Sequence, residues 1–79
     1  MQTIHTPQQV GAVLQSRRKS LALTQQQVAS KLGLSQNRLS VLESRADTLT
    51  VEQLLALLNV LGLELRIGEP APARQKVEW

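Results

Sequence analysis

The sequence predicts an all-α domain of four to five short helices followed by one C-terminal β-strand. Three observations carry this. The apolar residues are almost all aliphatic, 15 Leu, 7 Val and 2 Ile, with Trp79 as the single aromatic. Leu is a strong helix former, whereas a small barrel or sandwich leans on aromatic and β-branched residues. Three Thr residues each stand three places before a Gln: Thr6 and Gln9, Thr24 and Gln27, Thr50 and Gln53. That is the capping-box spacing, in which the hydroxyl accepts from an early backbone N–H while the Gln side chain reaches back to the cap. Each box opens a run of helical period, which becomes alternating after Gly62.

The first helix runs from about Pro7 to Ser20. Pro7 sits where no donor is needed, and Val10, Val13, Leu14, Arg17 and Leu21 recur at three- and four-residue steps. A second, short helix spans Gln25 to about Leu32 with Val28, Ala29 and Leu32 on one face. Gly33 is placed to leave it in a left-handed conformation. Only Leu34 separates it from Ser35, the cap of a third helix to about Ser44. There Leu39 and Leu42 face inward, while Gln36, Asn37, Ser40 and Val41 lie on other faces. After the loop RADTL a fourth helix runs from Thr50 to Leu61. Its apolar surface is wider than one core needs: Val51, Leu54, Leu55, Leu58 and Leu61 make a stripe that Leu57 and Val60 extend sideways.

Beyond Gly62, Leu63, Leu65 and Ile67 point one way and Glu64 and Arg66 the other, which predicts a strand at about 63–68. A lone strand leaves its backbone groups unpaired, so its expected partner is the same segment of a second copy. Leu57, Val60, Leu63, Leu65 and Ile67 are the residues expected at that dimer contact. The final EPAPARQKVEW has the composition of an extended tail, dividing the chain into a domain at 1–68 and a tail at 69–79.

Length and composition also exclude. A chain of 79 residues is one domain, too small for most enzyme scaffolds. A domain of this size buries only about 60 to 65% of its unfolded surface, and stability then calls for a staple or a second subunit. With no Cys and His5 as the single imidazole, neither a disulfide nor a metal is expected to supply the staple, which leaves dimerisation. His5 itself is expected to be exposed. No nucleophile, base and acid set and no phosphate-binding glycine loop is present, so no enzyme and no cofactor are expected. No apolar run approaches the roughly 18 residues that cross a bilayer, and MQTIHTPQQ lacks the form of a signal peptide. A cytoplasmic protein with no membrane partner is the expectation.

The signs of charge separate along the chain. From Arg17 to Arg45 six bases (Arg17, Arg18, Lys19, Lys31, Arg38, Arg45) face one acid, Glu43, a net +5; after Arg45 three bases face five acids, a net −2. A basic middle on a small helical domain is the electrostatic footprint of a nucleic-acid binder. Two short helices joined through Gly33 and Leu34 give the geometry in which the second helix enters the major groove, and Ala29 is the small residue where the two cross closely.

The run TQQQVASKLGLSQNRLSVLE, Thr24 to Glu43, resembles the Xre/Cro family of helix-turn-helix repressors, with its Thr-Gln, Ala, Gly, Ser and closing Glu. The whole chain looks like the HipB antitoxins: a Pro-started first helix, the helix-turn-helix, a T-x-x-x-L helix, a single terminal strand and a polar tail ending in Glu-Trp. The resemblance implies a lambda-repressor-like fold, a homodimer sharing a two-stranded sheet, repression of its own operon through a palindromic operator, and neutralisation of a HipA-type serine/threonine-kinase toxin.

It also implies site residues. The recognition helix starts at Ser35, making Ser35, Gln36, Asn37 and Ser40 the base-edge readers. Amides suit this work, because they present a donor and an acceptor together to adenine. Gln25, with Gln26 beside it, is expected to clamp a phosphate at a helix N-terminus. Arg17, Arg18, Arg38 and Arg45 are candidate DNA-backbone contacts; Arg38 reaching a guanine, and Arg17 pairing inside the protein with Glu43, are the alternatives. Val41 meets a thymine methyl or packs at the rim. Glu43, which would repel phosphate, is expected to pair with an Arg or cap the following loop. Val77 and Trp79 are the candidate toxin contacts, with Trp79 as anchor. A stand-alone repressor without a toxin, and an interaction module that has lost DNA binding, are the alternative readings.

Overall fold

Each helix begins where a hydroxyl replaces a missing backbone partner. Thr6, Thr24 and Thr50 form complete capping boxes with Gln9, Gln27 and Gln53, and Ser35 accepts from the Arg38 N–H at 3.1 Å. In the computed structural model, which describes residues 2–70, these caps open α1 (Pro7–Ser20), α2 (Gln25–Leu32), α3 (Gln36–Ser44) and α4 (Val51–Val60). A 3-10 turn at Ala46–Thr48 links α3 to α4.

The helices end as distinctly as they start. Gly33 takes φ 69°, letting the Leu34 N–H reach back to the Ala29 carbonyl at 2.9 Å. Gly62 takes φ 68° and Leu63 N–H donates to the Leu58 carbonyl at 2.8 Å. At the end of α1 the same turn is made by Ala22, at φ 58°, with Leu23 N–H bonded to the Arg18 carbonyl at 3.0 Å. A side chain in this conformation is strained by about 1 to 2 kcal/mol relative to right-handed backbone.

The core is one cluster of aliphatic side chains from all four helices. Leu14, Val28, Ala29, Leu39, Leu42, Leu57 and Leu61 are each at most 2% exposed. Ala29 is buried on α2, which packs against α3. A close approach on α1 carried no sequence signal that was recognised. Gly11 is buried on α1, and a Cβ there would overlap the Glu43 carbonyl oxygen and stand 3.5 Å from the Ala46 methyl.

The face of α4 differs from the expected stripe. Leu57 and Leu61 are buried, with Leu54 and Leu58 half-buried beside them, while Val51 is 71% and Leu55 46% exposed. Leu57, expected at a dimer contact, is therefore a core residue. The two registers share the same three- and four-residue steps, and what separates them is Glu52 and Asn59, which lie on one side of the helix opposite Leu57. Residues 63–70 form no strand, and there is no strand among the described residues. Leu63 folds back half-buried against the core, while Leu65 and Ile67 are 53% and 92% exposed. Val77 and Trp79, with most of the expected tail, lie outside the described residues.

Two substitutions test this packing in urea denaturation of the full chain. Gly11→Ala, although favourable for helix propensity, loses about 1 to 3 kcal/mol, the range for overpacking against an immovable backbone atom. Ala22→Gly gains about 0.5 to 1 kcal/mol, because relief of the left-handed strain exceeds the added freedom of the unfolded chain.

Candidate nucleic-acid interface

The nine residues of α3 are held by two side chains, Leu39 and Leu42, both 0% exposed. At 100° per residue these fix the opposite side as Asn37, Ser40, Val41 and Ser44, with Gln36 and Arg38 on the flanks. Ser35, Gln36, Asn37, Arg38, Val41 and Ser44 are exposed and Ser40 is half-buried. The exposed part of α3 and its cap thus carries two amides, Gln36 and Asn37, the Ser35 and Ser44 hydroxyls and, on the flank opposite Gln36, the Arg38 guanidinium. Val41, 37% exposed, adds one apolar side chain to it.

The back of α3 is fixed by a charge network. Arg18 is 7% exposed and grips Glu43 with two donors, Nε to Oε2 at 2.7 Å and Nη2 to Oε1 at 3.2 Å. Its third, Nη1, donates to the Leu23 carbonyl at 3.0 Å. Gln25 Nε2 donates to Glu43 Oε1 at 3.0 Å. One carboxylate thereby joins the end of α1, the start of α2 and the end of α3.

Arg18, expected among the DNA-backbone contacts, is instead an interior residue, and it takes the pairing with Glu43 that had been considered for Arg17. The reason is helical phase. Buried positions on α1 step from Gly11 to Leu14 to Arg18; of the expected stripe only Leu14 is on that line, with Val10, Val13 and Arg17 half-buried beside it and Leu21 exposed. Arg17 is half-buried, with Nε donating to the Leu61 carbonyl at 2.9 Å. Gln25 is half-buried with one amide hydrogen engaged by Glu43, while Gln26 is exposed. Glu43 pairs with an Arg, as its position required.

The remaining bases are on the surface. Lys19, Lys31 and Arg38 are exposed and make no ion pair among the described residues. Arg45 is exposed but pairs with the exposed Asp47, Nη2 to Oδ2 at 2.9 Å. The hydrogen bond from Arg45 holds the Asp47 carboxyl below its ordinary value, and the same bond raises Arg45. A carboxyl lowered in this way favours the fold above its unfolded pKa, and the contribution is lost as pH falls through the lowered value. Both partners face solvent, so the effect on stability is small. What it changes is the availability of Arg45 to another anion.

His5 is exposed. The described residues contain no cluster of three His, Cys, Asp or Glu that could hold a metal, and no helix among them is long and apolar enough to cross a membrane.

A family model described as helix-turn-helix covers residues 14–67, from the middle of α1 past the end of α4. No curated protein matches the chain.

The network makes a prediction. Glu43→Ala leaves the Arg18 guanidinium buried without a counter-charge and costs about 3 to 5 kcal/mol. Replacing both partners, Arg18→Met with Glu43→Leu, restores most of that loss. Equilibrium unfolding of the two variants checks it: equal destabilisation by single and double changes would show that the charges themselves are not what is being balanced.

Proposed function

The chain belongs to the helix-turn-helix family, of the Xre/Cro type, whose members are DNA-binding regulators of transcription, and from that premise we propose that it is a homodimeric repressor serving as the antitoxin of a HipA-type kinase. The observation that carries the DNA-binding part is the outward surface of α3. Ser35, Gln36, Asn37 and Ser40 are polar, turned away from the core and bordered by the exposed Arg38. Short hydroxyl and amide side chains at a helix N-terminus are what base edges in a major groove require.

In this reading Gln36 and Asn37 read bases, and Ser35 and Ser40 bond to bases or phosphates. Val41 lies against a thymine methyl. Arg38 and Arg45 contact the backbone; Gln26, and the second amide hydrogen of Gln25, meet a phosphate near the start of α2. Two copies pair through residues 63–68 with Val60, Leu63, Leu65 and Ile67 between them. The exposure of Leu65 and Ile67 in a single chain supports this. The recognition helices of such a dimer stand about 34 Å apart and address a palindrome with half-sites one turn apart. The antitoxin part rests on the resemblance of the whole chain to HipB proteins, with Val77 and Trp79 as the kinase contacts. The function as a repressor places the protein in the cytoplasm.

Selection of DNA sites from a random pool, followed by gel shift, tests the first part. Gln36→Ala and Asn37→Ala each weaken the selected site by about 1 to 3 kcal/mol and leave random DNA nearly unaffected. Asp47→Asn frees Arg45 and tightens both, with a steeper dependence on salt. Equal binding to all sequences by the native chain would favour an interaction module instead. Deletion of Arg74 to Trp79 separates the second part: DNA binding persists while rescue of cells from the cognate kinase is lost. Full rescue by the truncated chain would leave a stand-alone repressor as the better reading.

A further inference from the structure

Arg17 has an environment that the function described so far does not use. It lies on the last turn of α1, yet its Nε donates across the domain to the carbonyl of Leu61, the residue that caps α4, at 2.9 Å. A carbonyl at a helix C-terminus has no partner within the helix, and the negative end of the helix dipole favours a cation there. Leu61 is 2% exposed, so that carbonyl is held at the edge of the core. The guanidinium also overlies the turn that follows, since a Cβ at Gly62 would meet Arg17 Nη2 at 3.4 Å. Among the described residues this is the one hydrogen bond between α1 and α4. The chain leaves the domain immediately beyond it: Leu63 is half-buried, Leu65 53% exposed and Ile67 92% exposed.

We infer that Arg17 is a positioning residue that sets the direction in which residues 63–67 depart from the domain, and through it the separation of the two recognition helices in a dimer, rather than a ligand of a DNA phosphate. The inference rests on the reading of the chain as a dimeric DNA binder. Two rigid domains joined through extended segments are oriented by whatever fixes the first residues of those segments. Here the fixed points are the Leu63 N–H to Leu58 carbonyl bond inside α4's terminal turn and the Arg17 strut from outside it. A one-base-pair change in half-site spacing rotates one half-site by about 34° relative to the other, so a stiff departure angle appears as a preference for one spacing.

The two roles for Arg17 separate in an experiment on the full chain. Sites selected from random DNA are rebuilt with the half-sites moved together or apart by one base pair, and binding is measured from low to high salt. The native chain prefers its best spacing by on the order of tenfold, comparable to the penalty of one mismatched base pair. Arg17→Lys keeps the positive charge, but a single ammonium cannot both donate to the Leu61 carbonyl and lie over Gly62 as the planar guanidinium does. As a strut it loses its hold, and the preference falls to about threefold or less while the log–log salt slope stays unchanged. Arg17→Met gives the same loss, again with the slope preserved, and the Leu63 amide exchanges faster in both variants.

A phosphate ligand behaves oppositely. Lys then substitutes for Arg with spacing preference intact, and Met flattens the salt slope by about 1.8 per dimer, two phosphates at about 0.9 each. That result overturns the inference. So does unfolding of both variants, seen by circular dichroism, which would make Arg17 a stability element. Absence of any selected site for the native chain removes the DNA-binding reading itself, and is recognised before any substitution is made.

Discussion

The relative placement of the first three helices turns on one buried carboxylate. Glu43 receives two bonds from Arg18 and one from Gln25, with its side chain 6% exposed. Ion pairs taken out of water gain little net stability over well-packed apolar side chains, so this one is not needed to make the domain compact. The core is made of Leu, Val and Ala without an aromatic ring, and such side chains tolerate small shifts of one helix along another. A bidentate guanidinium does not, because its donors lie in a fixed plane. The pair therefore specifies the relative placement of α1, α2 and α3, which the aliphatic core alone specifies less sharply. It also removes a difficulty of charge: an unpaired carboxylate at the end of α3 would oppose an approaching phosphate chain, and Arg18 neutralises it from inside.

With its placement fixed from behind, α3 is free in front. A helix of nine residues is not stable by itself in water. Here it is held by Leu39, Leu42, the Ser35 cap and the Glu43 network, none of which uses the outward side chains. Residues 36, 37, 40, 41 and 44 can then vary without disturbing the fold, so the sequence a protein of this shape reads is separable from its stability. The same separation lets weak helix formers, Asn37, Ser40, Val41 and Ser44, stand on the outward face: the caps and the two leucines already supply what the helix needs.

Helix boundaries were legible in the sequence because they are written in local chemistry. All four starts are hydroxyl caps and two of the ends are glycines in left-handed conformation, and each of these acts within a few residues. Facing was less legible. On α4 the apolar steps alone admit two registers, and the deciding signal is the polar pair: Glu52 and Asn59 fall on one side of the helix, beside the exposed Leu55 and opposite the buried Leu57. On α1 the expected stripe shares Leu14 with the buried face but runs on to Arg17 in place of Arg18. The informative residue was Gly11, whose lack of a side chain marks the buried face, and whose partner, the Glu43 carbonyl, is distant in sequence. Ala22 gave no warning of its left-handed turn, since alanine carries no preference for one. The segment at 63–68 alternates like a strand, but strand pairing is a property of two segments and a single chain has nothing to supply the second.

The surfaces left open are of two kinds and lie on different elements. The polar one belongs to α3; the apolar one is carried by Leu65, Ile67 and the Val51–Leu55 flank of α4. If the apolar one pairs with a copy of itself, the two processes assist each other. A domain making few base contacts gains specificity mainly by binding twice, because the second half-site is then reached at the effective concentration of a tethered partner, of millimolar order, instead of the dilute concentration of free protein. That advantage exists only if the joint is stiff enough to place both recognition helices at once, since a loose joint spreads the second domain over orientations that miss its half-site. For a domain whose connecting segment begins at Gly62, stiffness has to come from what holds the end of α4. The sequence offers an αL turn, a core leucine and a guanidinium from α1 at that point. If two copies pair through this segment, that single side chain is where the geometry of the domain passes into the geometry of the pair.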